Sequence, residues 1–188
     1  MRTSLAKLLA LFAICATSSF SLAQEPIESE RMEETGEGEF NRHRIMAVLG
    51  HTHVPGGVNK EGDKAWLVLG SIGLDYDFRI NEKWSVGLHT DLVMESFGLE
   101  GDDGVEVERS SPFLAAVCAS RKFGKRLSLL AGVGQEFAKE ENLTVARVGA
   151  DYGWELPEEW EVALTLMWDI KIGEYNAWVF GIGIGKAF

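Results

Sequence analysis

The sequence predicts an all-β protein, an eight-stranded antiparallel up-and-down transmembrane β-barrel spanning residues 41–188. Three observations predict it. Beyond residue 40, bulky apolar residues alternate with small or polar ones in eight successive segments of roughly 12–16 residues, the two-residue period of a strand. Three short connections, 79–83, 124–126 and 157–159, are each flanked by aromatic residues. The last segment sets Trp178, Phe180, Ile182, Ile184 and Phe188 against Val179, Gly181, Gly183, Gly185 and Ala187, so one face is bulky and the other nearly bare. Three glycines on one face pack poorly in a soluble sandwich but fit the crowded interior of a narrow barrel.

The chain has 188 residues, enough for one domain. Residues 1–23 read as a cleaved signal peptide: Arg2 and Lys7 supply positive charge, Leu8 to Ala16 an apolar run, and Ser21-Leu22-Ala23 a small-x-small cleavage site. Residues 24–40, QEPIESERMEETGEGEF, contain seven Glu and little to bury. They are expected to form an acidic, disordered periplasmic leader.

The strand segments follow in order. Asn41 to His53 is the first, ended by Val54-Pro55-Gly56-Gly57. Asp63 to Phe78 is the second, with Trp66, Val68, Ile72, Leu74, Tyr76 and Phe78 opposing Ser71, Gly73, Asp75 and Asp77. Trp84 to Phe97 is the third, with Val86, Leu88, Leu92 and Met94 opposing Gly87, His89, Asp91 and Glu95. Val107 to Phe123 is the fourth; Pro112 within it implies a bulge or a break in pairing. Leu127 to Ala138, Leu143 to Leu156 and Trp160 to Lys171 are the fifth to seventh, and the terminal segment is the eighth. Eight staves close a barrel whose interior side chains just fill it.

Charge narrows the function classes. Without the signal peptide the chain keeps 16 basic against 29 acidic residues, a net of −13. Nucleic acid is therefore not an expected partner. Of the two cysteines only Cys118 lies beyond the signal, so no internal disulfide is expected. No apolar run after residue 23 reaches the roughly 18 residues a membrane helix needs, but a closed barrel crosses a bilayer without one.

The alternation alone leaves two options, bulky face inward around a ligand or outward to lipid. The turn-flanking aromatics Tyr76, Phe78, Trp84, Phe123, Trp154, Trp160 and Phe188 gather at one end, as an interfacial belt does. Trp66, Phe97, Phe137, Trp168 and Trp178 are expected to form a second belt. The short-turn end should face the periplasm and the longer loops outward.

The ionisable residues on the opposite face are expected to line the lumen. Asp91, Arg147, Asp151 and Lys171 read as a lumen charge network, with Arg147 bridging Asp91 and Asp151 and Lys171 pairing Asp169. A sharper alternative is a rim site. His51 and His53 are spaced i, i+2 on one face of a strand, and together with His89, Asp91, Glu95, Glu136 and Asp169 they are candidate ligands for a divalent cation or a small polar molecule. Gly50 leaves their facing open, since it could mark a bulge. A divalent ion is the one cofactor these residues suit; otherwise none is expected. No catalytic set is read: Ser71 and Ser96 lack a paired His-x-Ser motif, and Cys118 lies in an apolar run.

The signal peptide, the aromatic-flanked stretches Gly73-Leu74-Asp75-Tyr76-Asp77-Phe78 and Asn81-Glu82-Lys83-Trp84, and the last strand ending in Phe188 together resemble the small outer-membrane β-barrels of Gram-negative bacteria, the OmpA-like/porin-like superfamily. The resemblance covers residues 41–188. It implies a cell outer membrane location, outer-membrane lipid and the barrel assembly machinery as partners, and a monomer. It further implies that Phe180, Ile182, Ile184 and Phe188 form the insertion signal, from which Lys186 departs. Such barrels include adhesins, enzymes and anchors, so function is not implied. The expected role is structural or surface interaction, not that of an open general porin. Ligand binding at the outer rim and an outer-membrane lipid-modifying enzyme are the alternatives.

Overall fold

In a computed structural model, residues 41–58, 63–100 and 106–188 are described. The signal peptide and acidic leader lie outside them, as do 59–62 and 101–105. Ten strands run in chain order: β1 (His43–Val58), β2 (Lys64–Arg79), β3 (Trp84–Val93), β4 (Phe97–Glu100), β5 (Glu106–Arg109), β6 (Phe113–Phe123), β7 (Leu127–Phe137), β8 (Leu143–Glu155), β9 (Trp160–Lys171) and β10 (Asn176–Ala187). Eight of them are the staves of one closed antiparallel sheet, in the order β1, β2, β3, β6, β7, β8, β9, β10, with β10 pairing back to β1. The remaining two, β4 and β5, form a hairpin.

Closure is continuous at the seam. β1 and β10 pair without interruption from Arg44↔Ala187 to His53↔Trp178. His43 N donates to Phe188 O at 3.1 Å and Phe188 N returns to His43 O at 2.8 Å. A barrel without edges satisfies the backbone groups that hydrocarbon cannot.

The alternation resolves into two faces. Leu49, Val133, Ile182 and Trp66 project outward, with Leu49 68% and Val133 67% exposed. Apolar residues this exposed around a whole barrel match a lipid-facing surface. The interior takes the small and polar set. Gly181, Gly183 and Gly185 of β10 point inward, and a Cβ on Gly183 would stand 2.6 Å from the sulfur of Met46. The bare face of the last strand therefore makes room for larger residues of β1 and β9.

Two segments depart from the sequence reading. The third strand ends at Val93 and the fourth begins only at Phe113. Between them the chain leaves the wall and builds β4 and β5. The cause lies at Ser111-Pro112: Pro112 has no N–H to give the sheet, and Ser111 has φ 40°. β1 is longer than expected, running past Pro55 to Val58 through a register shift between Val54 and Gly57. Its extension has lost β10 as a partner and pairs with β4 instead, Gly57↔Leu99 and Val58↔Gly98. The hairpin thus leaves β3 and attaches to the seam edge of β1, reaching across the barrel end opposite the short turns, the end expected to face outward and hereafter the outer mouth. Phe97, expected in the outer belt, is buried there with Leu99, Val54, Leu69, Val93 and Ala177.

Candidate functional site

The strand period puts residues of like parity from neighbouring staves at similar depth, so the register orders the buried charges by height. Nearest the short turns, Arg44 on β1 meets Asp77 on β2 at 3.1 Å and Glu161 on β9 at 3.2 Å. His89 on β3 lies beside the same Asp77, 3.1 Å away, with Asp75 at 3.6 Å. At mid-height Arg147 on β8 makes a two-pronged contact with Asp169 on β9, at 2.7 and 2.9 Å, and reaches Asp91 on β3 at 2.5 Å. Toward the outer mouth Lys171 lies 3.7 Å from Asp169 and 3.6 Å from Glu136. Glu136 on β7 in turn accepts from Arg109 on β5 at 2.5 Å and from the Tyr175 hydroxyl at 2.9 Å.

These groups are buried or half-buried, and each ion has an opposing one within reach. That is what a narrow lumen demands, because an unpaired ion taken out of water is several kcal/mol unfavourable. Beside the mid-height charges, Leu114, Ala116, Cys118, Leu130, Val145, Met167 and Val179 fill the interior with apolar side chains. Among the described residues these side chains make the lumen a packed core. At the short-turn end it opens into a vestibule of about 240 Å³ whose lining includes Arg44, Arg79, Lys83, Lys125 and Glu161.

The outer mouth is closed by the hairpin. Phe97 packs edge-on to Tyr175, ring centroids 6.0 Å apart. Arg109 is only 2% exposed and also donates to Glu141 O at 2.8 Å. Tyr175 sits outside the membrane strands; burial and the neighbouring Glu136 carboxylate hold its hydroxyl well above the ordinary tyrosine range. Just beyond, the exposed Glu140 carboxylate accepts from Ser110 N at 3.1 Å and Ser110 Oγ at 2.5 Å, which lowers its pKa.

Several candidate site residues stand elsewhere than expected. His51 and His53 project outward, not into the lumen. β1 is unbroken at Gly50, so they share the parity of Ile45, Ala47 and Leu49. His53 accepts a hydrogen bond from Trp66 Nε1 at 3.1 Å and lies 5.1 Å from the Phe180 ring, so it belongs to the outer aromatic belt. Glu95 is exposed in the bend after β3. Glu136, His89, Asp91 and Asp169 do face inward but are held by the charge pairs above. The seven candidates therefore do not converge, and among the described residues no group of three or more His, Cys, Asp or Glu is placed to hold a metal.

Within the network the pairing differs from expectation in one respect. Arg147 bridges Asp91 and Asp169, its direct cross-strand partner, and not Asp151. Asp151 is buried opposite Thr165 and Ser128. Sequence reasoning missed Arg44, Arg109, Tyr175 and Glu161. Arg44 was legible in principle, since it has the parity opposite Ile45 and Leu49. Arg109 was hidden by the assumption that it continued the fourth stave. As for an enzyme, Ser71 is 1% exposed on the lumen face while its neighbour across the register, Gly50, precedes an outward His51. Ser71 and His51 therefore lie on opposite sides of the wall.

No protein-family model and no curated protein matches the sequence. Solved structures match the fold. The N-terminal β-barrel domain of Pseudomonas aeruginosa OprF aligns with 79% of this chain and 99% of its own, at 13% identity and a TM-score of 0.53. The P. aeruginosa outer membrane protein OprG aligns with 79% of this chain and 96% of its own, at 13% identity and a TM-score of 0.50. With its closed wall of eight antiparallel staves, apolar outside and charged within, the chain has the fold of the small outer-membrane β-barrels.

Proposed function

We propose that the chain is a small outer-membrane protein with a structural or surface-interaction role, and not an open general porin or an enzyme. One observation carries this reading: the lumen is occupied from the turn end to the outer mouth by the ladder Arg44–Asp77–His89, Arg147–Asp169–Lys171 and Glu136–Arg109, and the hairpin β4–β5 lies over its top. Such an interior holds the barrel together and leaves the loop end as the surface available to partners. The fold shared with outer-membrane barrels and the two aromatic levels on the outward face support the location.

The test is conductance. The full chain reconstituted in a planar bilayer is expected to give no stable, wide conductance. Large, sustained openings of porin size would contradict the reading. Fractionation of cells producing the chain should place it with outer-membrane markers; recovery in the soluble fraction would contradict the location.

A further inference from the structure

The outward face at the short-turn end carries a cation, Arg121, that the lumen does not use. Arg121 on β6 stands directly opposite Trp84 on β3 in the register. Its guanidinium lies 5.3 Å from the Trp84 ring and 5.0 Å from the Phe123 ring. Stacking uses the faces of the guanidinium and leaves its in-plane N–H donors available. Among the described residues no carboxylate reaches Arg121 within ion-pair distance. Lys125 and Arg126 follow in the β6–β7 turn, and Lys83 lies in the neighbouring β2–β3 turn, tied to it through Lys122 N donating to Lys83 O at 2.8 Å; these three stand on the rim, where they also line the vestibule. The acids facing this region are Glu82, exposed in its turn, and Glu155, held by Lys122 at 2.7 Å.

A half-buried guanidinium at the level of the aromatic belt sits where hydrocarbon gives way to headgroups. Without an anion it is poorly solvated there. The group that bilayer chemistry offers at this depth is a lipid phosphate, with the acyl chain lying along the apolar wall below and the rings of Trp84 and Phe123 at the glycerol level.

We propose that Arg121, between Trp84 and Phe123 and backed by Lys83, Lys125 and Arg126, binds the phosphate of an anionic phospholipid in the leaflet at the short-turn end. The proposal rests on the membrane-barrel reading. The site is one-sided. Four staves away Lys186 stacks on Trp160 at 5.2 Å, but the acidic Pro157-Glu158-Glu159 turn stands next to it.

The test uses the full chain refolded in vesicles of phosphatidylcholine, with either phosphatidylglycerol or a second phosphatidylcholine carrying brominated acyl chains. Bromine quenches tryptophan fluorescence on contact, so the two arms compare access of an anionic and a zwitterionic lipid to the belt. Brominated phosphatidylglycerol should associate about fivefold more tightly, the factor that ~1 kcal/mol per basic residue near an anionic headgroup gives. Arg121→Gln should abolish the preference, Arg121→Lys should keep part of it, and Lys186→Gln should leave it intact. Heat-dependent gel migration checks that each variant is folded. Equal association of the two lipids with the wild-type chain, or a preference that survives Arg121→Gln, would overturn the site while leaving the barrel in the membrane. Absence of quenching by either brominated lipid would overturn the membrane reading itself, and the site with it.

Discussion

Arg147 is the residue on which the lumen turns. It is 1% exposed and holds Asp169 by two contacts and Asp91 by a third. Removing one member of a buried set strands the others, which typically costs ~3–5 kcal/mol. Arg147→Gln should therefore lower the urea midpoint of the folded barrel by that order. The combined variant Arg147→Met, Asp91→Asn, Asp169→Asn, Lys171→Met should recover much of it, because of this linked set only the Glu136–Arg109 pair remains and no charge is left stranded. A second residue-scale expectation concerns pH. The hydrogen bonds from Ser110 favour the ionised form of Glu140, so the clasp between Ser110 and the β7–β8 loop is fully present above the usual glutamate pKa. It is lost as pH falls through the lowered value. Protection of the Ser110 amide, its exchange rate compared with that of an unstructured amide at the same pH, should fall as pH is lowered over that interval. Lys186, which departs from the expected insertion pattern, has a local reason: its ammonium lies over the Trp160 ring across the register.

At the scale of elements, the outward parity of each stave sets what it tolerates. Leu164 faces out from the middle of β9 and is 49% exposed. Leu164→Arg should destabilise the barrel in a bilayer by ~2–4 kcal/mol if its position is the midplane. Gly50 fails for the opposite reason: a Cβ there would stand 2.7 Å from the backbone oxygen of Phe180 on β10, and backbone cannot step aside as a side chain can. Gly50→Ala should cost ~1–3 kcal/mol of overpacking, read from the same unfolding curves. The hairpin β4–β5 is the element least legible in the sequence. Its strands carry four residues each, and their alternation merges into the third and fourth staves. Only Pro112 hinted that the wall was interrupted. The latch from Arg109 to Glu136 is a long-range contact that no local pattern announces. Arg109→Gln should speed amide exchange at Leu99 and Gly98 while leaving β3 and β6 protected.

At the scale of the whole molecule, the fold was legible because the same period repeats in every stave and the aromatics mark the ends. The facing of the staves followed from the aromatics gathered beside the short turns, with the three glycines of the terminal strand in keeping with a crowded interior. The site was less legible. Parity tells which face a residue is on only when the register is unbroken, and doubt at Gly50 was enough to turn His51 and His53 inward. The unbroken β1–β10 pairing puts them in the belt. The central claim is that this alternation has its bulky face in lipid and its small and charged face in a packed interior. Nitroxide labels placed one at a time from Val162 to Met167, in a Cys118→Ser background in nanodiscs, test it most directly. Labels at Leu164 and Leu166 should relax with dissolved oxygen and resist a water-soluble nickel chelate, while labels at Ala163 and Thr165 should be shielded from both. Ready access of the nickel chelate to Leu164 and Leu166 would contradict the account.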